Sequence, residues 1–265
     1  MVVSLAAWLL SCAAGVPVVQ EALVGAGSYR LGSDSSERAW AYQNSPAAVQ
    51  RRGWYDAWEL EPHEKSLAGF WIDAFPVTQA QYAAFTLASG HRAPEISAED
   101  YEEQGFTVHP YTTVVPYLWR DGTPPESLRE HPVVLVSHAD ASAYCAWRGR
   151  RLPTEDEWEA ACRGGEGRRL PWGESWQDAH AQHLASGTAP VGGHPLGATP
   201  SGVHDLIGNV FEWTGTFFDG KRPALRGCSW DDAPGTCRCA FRHGRPAESR
   251  HVLIGFRCAR DAAEP

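Results

Sequence analysis

Three short islands near the C-terminal end constrain the fold of this chain more than anything else in it: GNVFEW (208–213), RGCSW (226–230) and IGFR (254–257). Each mixes glycine, which lets backbone approach closely, with aromatic residues that supply buried area on short strands. Between the last two islands, residues 231–253 change character position by position, with neither a helical nor a strand period. A rigid frame carrying an irregular stretch is how binding and catalytic surfaces are commonly built.

The rest of the chain reads as the support for that frame. ALVGAGSYRLGS (22–33) predicts a strand, a turn and a second strand, and GFWIDAFPVT (69–78) a further strand. Thr78 caps a helix that runs to about Ser89 and ends at Gly90. Ser137 with Asp140, and Thr154 with Glu157, form capping boxes that open two more helices, closed by Gly149 and Gly164. Acids 155–157 then serve the positive helix end rather than acid–base chemistry. Residues 34–62 and 91–131 show no period and are expected to be long ordered loops, and 166–265 to hold short strands without helices. Few helices, short strands and long loops make an α+β domain, taken here as one domain over 1–265.

A formal net charge of −9 without a basic patch argues against nucleic acid as a partner. Seven cysteines, an odd number, suggest small buried hydrophobes instead of a disulfide scaffold. The apolar segment 2–15 ends in LLSC, a lipoprotein-like box at Cys12, but lacks a basic lead and is too short to span a bilayer. An N-terminal element packed on a cytoplasmic domain is the expectation, with surface anchoring at Cys12 as the alternative. Two asparagines, two lysines and one methionine fit a GC-rich, thermophilic source.

FWIDAFPVTQAQYAAF, RGRRLPTEDEWEAACRGG, LPWGES and the three islands together resemble the formylglycine-generating enzyme (sulfatase-modifying factor) family, over about residues 22–260. The resemblance implies an irregular C-type-lectin-like α+β fold. It spans several functions, so the fold does not decide among them. The family's copper oxidases hold Cu(I) with two cysteines five residues apart, because soft thiolates suit that ion. Here the second position is Cys237 and the first is Asp232, which counts against copper while leaving Ser229 and Cys237 as the oxidase residues. The iron-dependent relatives need three histidines from an additional domain; His180 and His183 lack a third and read as surface residues.

The chain also resembles the variable proteins of diversity-generating retroelements, in which the segment from RGGSW to IGFR is diversified at asparagine codons. The irregular positions are Asp231, Asp232, Ala233, Gly235, Thr236, Phe241, His243, Gly244, Arg245, Ser249, His251, Val252 and Leu253. None is a type that such codons cannot yield, while Pro234, Cys237, Arg238, Cys239, Ala240, Arg242, Pro246, Glu248 and Arg250 read as frame. The expectation is a non-catalytic protein whose exposed 226–257 surface binds a protein ligand, with the copper oxidase as alternative. Finally, the resemblance implies calcium on Asp205, Glu212 and the carbonyls of Gly208 and Val210, hard oxygen donors from one turn.

Overall fold

A computed structural model describes residues 19–105 and 108–262. Cys12 and the rest of the apolar N-terminal segment lie outside the described residues. In chain order the elements are β1 (Glu21–Val24), β2 (Gly27–Leu31), α1 (Ser35–Gln43), α2 (Ala47–Arg52), α3 (Trp54–Trp58), β3 (His63–Leu67), β4 (Phe70–Asp73) and α4 (Gln79–Ser89). There follow α5 (Ala98–Glu103), α6 (Tyr111–Val114), α7 (His138–Trp147), α8 (Glu155–Arg163), β5 (Phe211–Phe217), β6 (Pro223–Arg226), β7 (Arg242–Gly244), β8 (Ile254–Phe256) and β9 (Ala259–Asp261). The fold is α+β, with short strands in three sheets and long connections.

The three glycine–aromatic islands meet in one sheet. Its order is β7-β6-β5-β8, with β5 and β8 parallel and the other pairs antiparallel. Glu212 lies opposite Arg226 on one side and Gly255 on the other, so GNVFEW sits between RGCSW and IGFR. Gly255 has to be glycine, because a Cβ there would stand 2.8 Å from the Val133 carbonyl. A second sheet, β1-β4-β9, and the β2–β3 hairpin complete the scaffold.

The longer helices start where the caps place them. Thr78 accepts from Gln81 N and Gln81 returns the bond to Thr78 N; Ser137–Asp140 and Thr154–Glu157 repeat the box. Each box satisfies backbone N–H groups that a first helical turn leaves unpaired. Gly90 closes α4 at φ 71°, in the left-handed region that glycine enters without strain.

Residues 34–62 are not a loop. They hold α1, α2 and α3, and Asp34 caps α1 by accepting from Ser36 N and Glu37 N. The helical period is hidden there because the inward face of α1 is Glu37, Arg38 and Ala41, buried by ion pairing rather than by apolar side chains. Residues 91–131, also expected to be a loop, hold α5, α6 and two 3-10 turns, and two more 3-10 turns stand in the segment after 166 that was expected to lack helices.

The cysteine expectation is also corrected. Cys145 pairs with Cys258, Cys162 with Cys239, and Cys228 with Cys237. The first two bridges span 113 and 77 residues, so spacing could not reveal them, and Cys12 makes the total odd. They fasten α7 and α8 to the C-terminal strands and loop.

Under the C-terminal segment lies a second set of long-range ties, made of arginine and glutamate. Arg238 bonds Glu37 and Glu59; Arg163 bonds Glu37 and Glu159; Arg226 bonds Glu159; Arg242 grips Glu155 with two bonds of 2.8 Å. The planar guanidinium fork suits such pairing better than a lysine ammonium, which accounts for the scarcity of lysine in the buried set. Burial pushes Glu159 up, but Arg226 and Arg163 outweigh it and hold this carboxyl below the ordinary range.

Candidate functional site

The loop from Ser229 to Leu253 does not form an outward-facing surface. It walls a cleft of about 690 Å³ together with α3 and the edge of the β5–β6–β7 sheet. Trp54 and Trp58 are one turn apart on α3 and stack with ring centroids 4.8 Å apart. The helix is held by the fully buried Tyr55, whose ring lies 4.8 Å under the Arg238 guanidinium. Phe211, Phe218, Phe241, His243 and Leu253 supply the opposite and inner walls, and Arg52, Arg222 and Arg245 the remaining cationic lining.

His243 is embedded among rings: the edge of Phe211 at 4.7 Å, Phe241 at 5.7 Å and a near-parallel Trp58 at 6.3 Å. Burial, reinforced by the charges of Arg245 and Arg222, pushes this imidazole down to about 3, so it is neutral at physiological pH. A narrow cavity of about 30 Å³ adjoins the cleft and shares Val108, Phe211, His243, Arg245 and Leu253 with it, adding Ser249, His251 and Ile254.

The acidic end of the cleft is built around Ser229. Its Oγ lies 2.6 Å from Asp231 Oδ1 and 2.6 Å from Asp232 Oδ2, and its backbone N–H donates to Asp232 Oδ2. A hydroxyl has one proton, so both short contacts are satisfied together when Asp232 carries a proton and donates to Oγ while Oγ donates to Asp231. Burial, and then the neighbouring Asp231 carboxylate, push Asp232 up to about 7, which agrees with that arrangement. On the far side His109 Nε2 lies 2.7 Å from Asp231 Oδ2, and its ring packs on Trp230 at 4.8 Å.

The thirteen irregular positions separate into groups. Asp231, Asp232, Thr236, Phe241, His243, Gly244, Arg245 and Leu253 line the cleft, and Ser249 and His251 line the narrow cavity. Ala233, Gly235 and Val252 line neither. The expectation that these side chains are exposed is corrected: Gly235, Thr236, Phe241, His243, Gly244, Ser249, His251, Val252 and Leu253 are buried. Gly235 packs so closely on α1 that a Cβ would stand 2.1 Å from the Ala41 carbonyl. A segment crossing the middle of a disulfide- and arginine-tied core has little outer face, so its side chains turn into a concavity.

The copper pair implied by the resemblance does not fit these residues. Position 232 is a carboxylate engaged with Ser229, and Cys237 is joined to Cys228, with both cysteines fully buried. The calcium quartet meets a different obstacle. Both Glu212 oxygens are taken, by a bidentate Arg257 and by Trp158 Nε1, and Asp205 is buried and accepts from Gly192 N. Among the described residues no group of three or more His, Cys, Asp or Glu side chains is placed to hold a metal ion. His180 and His183 pack edge-on against Trp172 and Trp176.

Trp54, Trp58, His109, Phe211, Phe218 and Arg222 belong to the site and were not singled out from the sequence. The density of tryptophan and tyrosine between 40 and 58 was the one available sign for the first two.

The comparisons agree with the frame. Residues 11–262 match the family model described as a sulfatase-modifying factor enzyme 1-like domain. The mouse inactive C-alpha-formylglycine-generating enzyme 2 is 36% identical over 244 residues, covering 76% of this chain and 78% of that protein. The mouse formylglycine-generating enzyme is 31% identical over 258 residues, covering 77% and 69%. Among solved structures, PvdO from Pseudomonas aeruginosa superposes with a TM-score of 0.69 at 23% identity, covering 91% and 94%. Treponema denticola variable protein 1 gives 0.61 at 19%, covering 91% and 95%. At those identities the two structures speak to the fold alone. No helix among the described residues is long and apolar enough to cross a membrane. On the family match and the relatives' identity, the chain belongs to the sulfatase-modifying factor enzyme 1-like domain family.

Proposed function

We propose that this chain is a binding member of its family that holds a ligand with a flat, apolar body in the aromatic cleft. The observation that carries the reading is the exchange at the cleft's end. Where the resemblance places two copper thiolates, this chain has a carboxylate hydrogen-bonded to Ser229 and a cysteine closed into a disulfide. A cleft of about 690 Å³ falls in the range of drug-sized ligand sites, and this one mixes aromatic walls with charged groups. Trp54, Trp58, Phe211 and Phe241 offer ring faces and edges to such a body.

The test is a ligand-observed NMR screen of aromatic and size-matched aliphatic compounds. Aromatic compounds should dominate the hits, and Trp58→Ala should weaken them about tenfold, in line with the loss of an aromatic anchor. Equal hit rates for the two classes, or hits indifferent to Trp58→Ala, would refute the reading.

The retroelement reading survives in a narrower form, favoured by the eight irregular positions that line this one cleft. In that form diversification would re-shape the cleft for different ligands, proteins included, and would spare Gly235 and Val252. Sequencing the 226–257 coding segment across a population tests it: variation at the lining positions supports it, and an unchanging segment counts against it. Disulfides persist in oxidising compartments. With three of them, we propose that the protein works in such a compartment.

A further inference from the structure

Two residues that line the narrow cavity at the inner end of the cleft each carry a buried polar atom that the fold leaves unsatisfied. Ser249 Oγ and His243 Nδ1 are buried and have no hydrogen-bond partner, although the two residues line the same cavity. Ser249 is 1% exposed and His243 8%. An unmet buried donor or acceptor costs about 1–3 kcal/mol, and placing two together is a cost that a bound group can reverse. The cavity's size, about 30 Å³, leaves room for a water-sized group and little more.

We propose that this cavity is the cleft's specificity subsite, and that it takes the hydroxyl of a hydroxylated aromatic ligand between Ser249 and His243. The inference rests on the cleft being a ligand site. Chemistry selects the hydroxyl over other small groups. A serine hydroxyl both donates and accepts, and Nδ1 of a neutral imidazole does one or the other according to its tautomer; a hydroxyl complements the pair in either case, because it can give one hydrogen bond and take another. An ammonium would face the charge of Arg245 on the same wall. A carboxylate only accepts, and brings two oxygens where there is room for one. The ring preference comes from the lining around the cavity, where Trp58, Phe211 and Phe241 surround the His243 imidazole.

The experiment compares p-cresol with toluene on the full chain by NMR titration. Wild type should bind p-cresol about tenfold tighter, the discrimination expected when a site holds unpaired polar groups for a hydroxyl. Ser249→Ala and His243→Phe should each bring the ratio within about twofold while toluene still binds, since the ring contacts remain. The ratio is read within each variant, so a modest loss of stability does not obscure it. Equal binding of the two probes by wild type would overturn the hydroxyl subsite and leave the aromatic cleft standing. Binding of neither would overturn both.

Discussion

Two sets of carboxylates lie a short way apart in this protein and are treated in opposite ways. Beneath the C-terminal loop, Glu37, Glu59, Glu155 and Glu159 each meet an arginine from a distant part of the chain. Within the loop, Asp231 and Asp232 sit side by side with only the Ser229 hydroxyl between them, and His109 behind. The first set neutralises every buried charge and ties elements together. The second buries one acid and places another beside it, so that burial first and the like charge second let one carboxyl retain its proton near neutral pH. A fold gains nothing by crowding two acids, so the contrast separates what holds the molecule together from what faces a ligand.

The largest effect that would break this contrast is in the matched set. Arg238→Met leaves Glu37 and Glu59 without their shared partner in the core, and urea denaturation should show a loss of about 3–5 kcal/mol. A loss under about 1 kcal/mol would mean the network is not structural. Next comes the bridge that ties α8 to the loop. Replacing Cys162 and Cys239 together by alanine should cost about 2–4 kcal/mol, because it frees a 77-residue span of the unfolded chain. An unchanged melting temperature would contradict the bridge.

The smallest effect sharpens the other side. Asp232 is raised to about 7 in the folded protein, above its value in the unfolded chain. Its proton therefore favours the fold fully below about pH 4, and that contribution is lost as pH rises through about 7. His243 works in the opposite sense: its folded value, about 3, is depressed, so its contribution is present above about 6.5 and is lost on acidification. The two slopes oppose each other between about pH 4 and 6.5, so each is read by difference. Asp232→Asn should abolish the falling limb of stability toward pH 7, and a pH profile parallel to wild type would refute the shared proton.

Helix starts were legible because capping is local: Thr78, Ser137 and Thr154 announce their helices within four residues. The family frame was legible because the three islands keep their order and spacing. What could not be read depends on long-range pairing. The bridge from Cys145 to Cys258 and the partnership of Arg238 with Glu37 join residues 113 and 201 positions apart. For the same reason α1 went unrecognised, since its inward face is charged and its partners are far away in sequence. The direction of the irregular loop was not legible: alternation cannot tell an outer face from the wall of a cleft when both need polar and aromatic side chains.

The central claim is that this member of the family has exchanged a thiol pair for a carboxylate-ended ligand cleft. Titration of Cu(I) into the protein with its disulfides intact, against a competing chelator, tests it most directly. The account predicts no stoichiometric copper binding by wild type. Tight one-to-one binding by wild type that Cys237→Ala abolishes would contradict it and return the chain to the copper oxidases.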